Sequence, residues 1–341
     1  MDPVHALQRI AFLLEWRDGA SQRSRAFRRA ASAIVGLSAA ELHQLAARDR
    51  LRDPPGLGPS TVGVIAEALD GAVPERLAHL EAEYAAAVPD GALAAALRAD
   101  CHVHSDSSDG TAPIRDMALA ARELGHEYMV LTDHSPRLQV AHGLSAARLE
   151  KQLVEVDTLN AELAPFRVLT GIETDILPDG RLDQRPELLA RLDVVVASVH
   201  TKLRMPADEM TPRMLRALED PNLDILGHCT GRMTRRKGDD RPSSEFDAGR
   251  VFEVAARLGK AIEVNARPER QDPPDRLLRQ AVDAGCLFAI DSDAHAPGEL
   301  AWKPAAAARA GACGVTPDRV VNTWSAEALL DWAASHDGVR A

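Results

Sequence analysis

The chain has 341 residues, 45% of them apolar and 27% charged, with a formal net charge of −11. These are values of a globular protein with room for two domains, and they exclude a disordered, collagen-like or disulfide-scaffold chain. The acidity also argues against wholesale wrapping of nucleic acid, which draws its affinity from neutralised phosphates.

No stretch approaches the roughly 18 uninterrupted apolar residues of a membrane helix. The opening MDPVHALQRIAFLLEWRDGA has neither a basic n-region nor a small-residue cleavage site, so the expected location is cytoplasmic. Cys101, Cys229, Cys286 and Cys313 form no C-x-x-C pair and read as buried reduced thiols rather than a zinc ribbon or redox couple.

Residues 1–88 show helical apolar periodicity over 4–16, 22–36, 39–47, 59–70 and 74–87, with no strand between them. The expected module is small and all-helical. Residues 17–52 carry eight arginines against Asp18, Glu41 and Asp49, which leaves one locally basic face. The break Pro55-Gly56-Leu57-Gly58-Pro59-Ser60 predicts a tight hairpin with Leu57 plugged into the core. Backbone N–H groups at the following helix start would suit a phosphate, so Gly56, Gly58, Ser60, Arg28 and Arg29 are candidate DNA contacts. Against this, Pro59 has no N–H, and a run of arginines usually marks a solvated helix face.

An alanine-rich connector at 89–97 leads into 98–341, where short β-rich runs alternate with helical stretches. Runs at 99–104, 128–134, 166–173, 193–200, 223–228, 261–265 and 286–293 predict a parallel α/β barrel. Each run ends in a polar or metal-binding residue: His102 and His104, His134, Glu173, His200, His228, Asn265, Asp293 and His295. In a parallel barrel all strand ends meet on one face, so these side chains converge, and Asp109 can fold over the same face from its loop. Six histidines and three carboxylates exceed the needs of one catalytic zinc and point to two or three divalent ions sharing a bridging carboxylate. Mixed imidazole and carboxylate ligands suit zinc, manganese or iron. Such clusters serve hydrolysis of phosphate esters or amides by metal-activated water. Arg137, Asn265 and Arg270 lie nearest the ligand ends and are candidate substrate-binding residues, arginine being suited to phosphate. Asp133 and Asp291, beside ligands, are candidates for orienting imidazoles.

In these residues the chain resembles the polymerase and histidinol phosphatase (PHP) superfamily. H-x-H, D-G, T-D-H, G-x-E, S-x-H, G-H and D-x-H occur in that family's order. The resemblance implies a distorted seven-stranded (β/α)7 TIM-like barrel with a trinuclear centre. His102, His104, Glu173 and Asp293 would hold one metal, Glu173 with His200 and His228 a second, and Asp109, His134 and His295 a third. Glu173, Asp293 and Asp109 would be the catalytic carboxylates. GIETDILPDG, GHCTGR and EVNARPER look most like the PHP domain of bacterial family X DNA polymerases. The amino-terminal AFRRAA and PGLG resemble the helix-hairpin-helix lyase domain of those polymerases. The interval from Gly71 to Asp100 is too short for a polymerase palm, and no lysine occurs in residues 1–150 to form a Schiff base.

The expected function is therefore metal-dependent phosphoester hydrolysis, on DNA 3′-ends in repair with the helical module contacting DNA. The alternative is a small-molecule phosphomonoesterase such as a histidinol phosphatase. Neither a nucleotide cofactor nor a membrane partner is expected. A non-catalytic scaffold is disfavoured, because crowded polar groups are costly to bury without metal.

Overall fold

The structure is a computed structural model and describes residues 1–234 and 240–336. The chain divides into two compact units, Met1–Pro89 with Ala296–Glu299, and Asp90–His295 with the chain from Leu300 onward.

The first unit contains α1 (Pro3–Asp18), α2 (Gln22–Ile34), α3 (Ala39–Ala47), α4 (Pro59–Leu69) and α5 (Glu75–Ala87). Asp2, Ser21 and Ser38 cap the first three by accepting backbone N–H bonds, which satisfies donors that a helix start leaves free. Leu7, Ile10, Leu13, Leu14, Phe27, Ile34 and Ile65 form its core. Between α3 and α4 the chain turns at Gly56, in the left-handed region at φ +92°, as the glycine pair predicts. Leu57 is only half-buried, and the plug is Leu51 at 6% exposure. Glycines on both sides of Leu57 shape the turn without aiming its side chain inward, while Leu51 enters from the chain leaving α3.

The second unit runs α6 (Ala92–Ala96), β1 (Ala99–Val103), α7 (Ile114–Glu123), β2 (Tyr128–Leu131), α8 (Ala146–Leu163), β3 (Arg167–Asp175), α9 (Pro186–Leu189), β4 (Val194–Ser198), α10 (Ala207–Leu218), β5 (Ile225–Leu226), α11 (Ala248–Arg257), β6 (Ala261–Asn265), α12 (Asp275–Asp283), β7 (Leu287–Asp291), α13 (Lys303–Ala312) and α14 (Ala326–Ala334). The strands form one parallel sheet in sequential order, β1 to β7. It is a nearly closed barrel surrounded by helices, with every expected strand in place. The inner apolar layer takes Ala99 and Cys101, Tyr128 and Val130, Leu169, Val194 and Val196, Ile225, Ala261 and Ala289, and α14 packs Ala326 and Leu329 against it.

Above that layer the interior turns polar. On β3 and β6 simple alternation achieves this, since Leu169 and Glu173, or Ala261 and Glu263, share a face. On β1 it requires a change of phase. Ala99 and Cys101 belong to the apolar layer, yet His102 meets Glu173 and Glu263. The β1–β2 register shifts between Asp100 and Val103, and this irregularity re-aims His102 inward.

The seam between β1 and β7 is closed by one backbone bridge, Val103 to Ala294, and by side chains. Cys101 N–H donates to Asp291 Oδ1 at 2.7 Å, and Asp100 Oδ1 accepts from the N–H groups of His102 and Ser292, both at 3.2 Å. Asn322, fully buried, accepts from Ile290 N–H at 3.1 Å and donates to the carbonyls of Ile290 at 2.7 Å and Ala99 at 3.1 Å. A side-chain amide thus stands in for part of a strand ladder. All four cysteines are buried and unpaired, as expected.

Candidate metal centre

The strand ends bring the nine expected residues into one cluster. Glu173 lies at its centre and is 1% exposed. Its Oε1 approaches His228 Nε2 at 2.9 Å and His200 Nε2 at 3.1 Å. Its Oε2 approaches His134 Nδ1 at 2.9 Å, His102 Nε2 at 3.3 Å and His104 Nε2 at 3.6 Å. Asp293 Oδ1 faces His104 Nε2 at 3.4 Å and His295 Nδ1 at 3.6 Å. Asp109 Oδ1 faces His295 Nε2 at 3.3 Å and His134 Nε2 at 3.5 Å.

Local backbone explains these positions. A Cβ at Gly227 would sit 2.3 Å from Ser198 Oγ, so only glycine lets the chain before His228 pass β4 this closely. The pair Asp293 and His295 fits a different geometry from the extended one its spacing suggests. β7 ends at Asp291, and Asp293 is left-handed at φ +53°, a strained conformation of the kind that clusters at functional sites. His295 Nδ1 lies between the Asp293 carbonyl at 2.8 Å and Arg267 Nη1 at 2.9 Å, which holds the ring with Nε2 toward Asp109.

These atoms are close without bonding one another. His102 Nε2, both nitrogens of His104, His200 and His228, His134 Nδ1 and both oxygens of Glu173 are buried with no hydrogen bond of acceptable geometry. Such orphaned groups are costly to bury, so lone pairs aimed at shared points fit cations between them. Among the described residues, His104, Asp109, His134 and His295, then His102, His104 and Asp293, then His134, Glu173 and His200, each place ligand atoms within 4.8 Å of one another.

The electrostatics agree. Burial disfavours ionised Glu173, but His200, His102 and His134 outweigh it and hold the carboxyl well below its usual range. Burial, then His295 and His134, lower His104 to about 3, leaving a neutral imidazole. For His134 burial acts downward, yet Glu173 and Asp109 raise it to about 10. In the metal-free protein a proton on His134 therefore offsets carboxylate charge, and it must leave before that nitrogen can ligate. Because this pKa is raised, the competing proton is held throughout the neutral range and lost only as pH rises through about 10. Metal uptake is expected to release protons, with affinity rising between about pH 6 and 9. Titration of metal-free protein with manganese(II) in weak buffer checks this, and a pH-independent affinity without proton release would contradict it.

Other expected residues stand differently. Asn265 is fully buried, donates from Nδ2 to Glu263 Oε2 and Asp293 Oδ2, both at 3.2 Å, and accepts from Arg267 N–H at 3.1 Å. Its amide is committed to holding Asp293, which corrects its expected role as a substrate contact. Arg270 forms an ion pair with Asp293 Oδ2 through Nε at 3.1 Å, and neither that nitrogen nor the buried Nη1 makes a hydrogen bond of acceptable geometry. Arg137 is exposed on the loop after β2, its N–H bonded to Asp183 at 2.6 Å. Asp133 and Asp291 orient no imidazole. Asp133 accepts from Ser105 N–H, Ser105 Oγ, Ser108 Oγ and Gln152, bracing the loop that carries Asp109, and Asp291 closes the seam. The residues behind the imidazoles are instead Glu263 and Asp175. Glu263 lies 2.5 Å from His102 Nδ1, and Asp175 Oδ1 accepts the backbone N–H of His200 at 3.1 Å and lies 3.6 Å from its ring Nδ1. Glu263 had a signal in the sequence, since it shares a strand face with Asn265 two residues on.

In the helical unit, Arg28 makes a two-point ion pair with Glu15, itself 1% exposed. That takes it out of the candidate DNA face, whereas Arg29 is exposed beside Gly56. Gly58 N–H donates to Thr61 Oγ1 at 3.0 Å, and Ser60 Oγ accepts from Arg76 at 3.0 Å. The hairpin keeps fewer free donors than its glycine pattern suggests. Arg235, Arg236 and Lys237 lie outside the described residues.

Residues 100–267 match the PHP domain family. The chain is 42% identical over 199 residues to the DNA polymerase/3′-5′ exonuclease PolX of Bacillus subtilis, covering 58% of this chain and 34% of that protein. It thus spans about a third of that relative's length. It is 28% identical over 235 residues to a probable phosphatase of Thermoanaerobacter sp., covering 66% of this chain and 89% of the relative. Among solved structures it is similar to a histidinol phosphate phosphatase of Lactococcus lactis, complexed with zinc, L-histidinol and phosphate, at 18% identity and a TM-score of 0.46, covering 64% of this chain and 94% of the other. Residues 100–267 of the barrel unit thus carry a PHP domain. Among the described residues no helix is long and apolar enough to cross a membrane.

Proposed function

We propose that the protein is a DNA 3′-end nuclease or phosphatase linked to repair, with residues 1–88 acting as a helix-hairpin-helix module and 98–341 as the hydrolase. The observation that carries this reading is the 42% identity over 199 residues to a protein named for 3′-5′ exonuclease activity. Exposed Arg23, Arg25 and Arg29 on α2 support it as a phosphate-facing surface, with Gly56, Gly58 and Ser60 at its edge.

His102, His104, Asp109, His134, Glu173, His200, His228, Asp293 and His295 would hold two or three ions of zinc, manganese or iron. Bound there, divalent ions supply a nucleophilic water at neutral pH and neutralise charge on the phosphoryl group. The chain's own groups do the rest. Glu173, aimed one oxygen at each half of the cluster, fixes their spacing. Arg270, anchored through Nε, offers Nη1 to a phosphate oxygen, and Arg137 meets the substrate at the rim.

The second reading, a small-molecule phosphomonoesterase, is favoured by the hairpin, whose Gly58 donor is spent on Thr61 and whose Pro59 has none. The test is hydrolysis by manganese-loaded protein of a 3′-labelled oligonucleotide and, in parallel, histidinol phosphate, with His102→Ala as control. Degradation of DNA that the control loses by about 100-fold or more is expected. Turnover of the phosphomonoester alone would overturn the nuclease reading.

A further inference from the structure

Glu263 is fully buried at the heart of the second unit and belongs to none of the ligand groups. Its Oε1 lies 2.5 Å from His102 Nδ1, and its Oε2 accepts from His228 N–H at 2.5 Å and from Asn265 Nδ2 at 3.2 Å. Two of the three partners can only be donors. A backbone N–H has no alternative, and the Asn265 amide is fixed because its oxygen accepts from Arg267 N–H while its nitrogen lies between two carboxylates.

We infer that Glu263 is a positioning residue that selects the ligating tautomer of His102 and, through the same carboxylate, ties the ends of β1, β5 and β6 into one frame around Glu173. With Oε2 occupied by obligate donors, Oε1 remains an acceptor, and His102 must present Nδ1–H to it. The lone pair of His102 is then on Nε2, which is buried, has no hydrogen bond and faces Glu173 Oε2 at 3.3 Å. A carboxylate behind a ligand imidazole also raises its basicity as a donor. The inference rests on the reading of the cluster as a metal site.

The variant Glu263→Gln separates this role from simple space-filling, because glutamine has the same shape. Its carbonyl oxygen has to meet His228 N–H and Asn265, since an amide NH2 there would face two donors. Its NH2 group then points at His102 Nδ1 and turns that atom into an acceptor, so the proton moves to Nε2, the position that ligates. The probe is zinc(II) alone, titrated against a competing chelator, with nitrogen-15 spectroscopy of the histidine rings. The parent is expected to show His102 as an Nδ1–H ring when zinc-loaded. In Glu263→Gln the ring switches to Nε2–H, zinc affinity falls about 10- to 100-fold, and metal-free unfolding stays close to the parent's. An unchanged tautomer with unchanged affinity would overturn the inference while leaving the metal reading intact. A parent that takes up no zinc would overturn both. If the variant does not fold, the parent decides alone, because an Nε2–H ring at His102 there excludes the proposed role.

Discussion

Replacing Glu173 by glutamine is expected to lower kcat/KM for phosphoester hydrolysis by about 1,000-fold or more, roughly 4 kcal/mol of transition-state stabilisation. The side chain keeps its volume, so packing does not explain the loss. Its two oxygens serve different halves of the cluster, with His228 and His200 on Oε1 and His134, His102 and His104 on Oε2. An amide can present an oxygen to only one half and must turn NH2 hydrogens toward the other. The substitution also removes a negative charge that buried imidazoles hold ionised. In the metal-free variant the main carboxylate holding a proton on His134 is gone, so its titration moves down from about 10. Steady-state kinetics with metal-loaded protein, together with a ring-nitrogen titration of metal-free protein, read both effects. Activity within tenfold of the parent would sink the central role of Glu173.

The second large effect concerns stability. Asn322→Ala is expected to cost about 3 kcal/mol, lowering the melting temperature by roughly 6–12 °C. The amide satisfies both the N–H and the C=O of Ile290 on β7. Alanine leaves these buried groups without that partner, at about 1–3 kcal/mol each. The Ala99 carbonyl suffers less, since Lys303 Nζ also donates to it at 2.6 Å. Asn322→Asp should be no better. It keeps an acceptor for Ile290 N–H, loses the donors and places a charge beside Asp291, whose carboxyl burial already pushes up. Thermal unfolding of metal-free protein is the measurement, and a loss under about 1 kcal/mol would mean the backbone bridge at Val103 closes the barrel unaided.

The sequence was informative wherever period and topology act together. Seven β-runs separated by helical stretches define a parallel barrel, and a parallel barrel gathers strand ends regardless of sequence distance. That logic alone brings His102, His134, Glu173, His200, His228 and Asp293 together. It gives no access to the side on which a neighbour lands. Asp133 sits beside His134, yet a strand sends adjacent side chains to opposite faces, and the alternation that would pair Asp291 with Asp293 is broken where β7 ends and Asp293 turns left-handed. Both Asp133 and Asp291 bond backbone groups instead. The partners behind His102 and His200 come from Glu263 and Asp175, on other strands, where only the fold sets the distance.

The same distinction applies to the helical unit. Helical periodicity and the glycine pair specify helices and a turn, because these depend on local dihedral preferences. Whether Leu57 or Leu51 fills the core, and whether Arg28 meets solvent or Glu15, depends on how helices pack. By itself, then, the sequence determined the barrel and the meeting of histidines and carboxylates at its strand ends, since residue identity and short-range periodicity carry them. Tertiary structure alone decided the phase change that turns His102 inward, the left-handed Asp293, the closure by Asn322 and the carboxylate of Glu263 behind His102. These depend on hydrogen bonds between residues up to 223 positions apart, which no local pattern encodes.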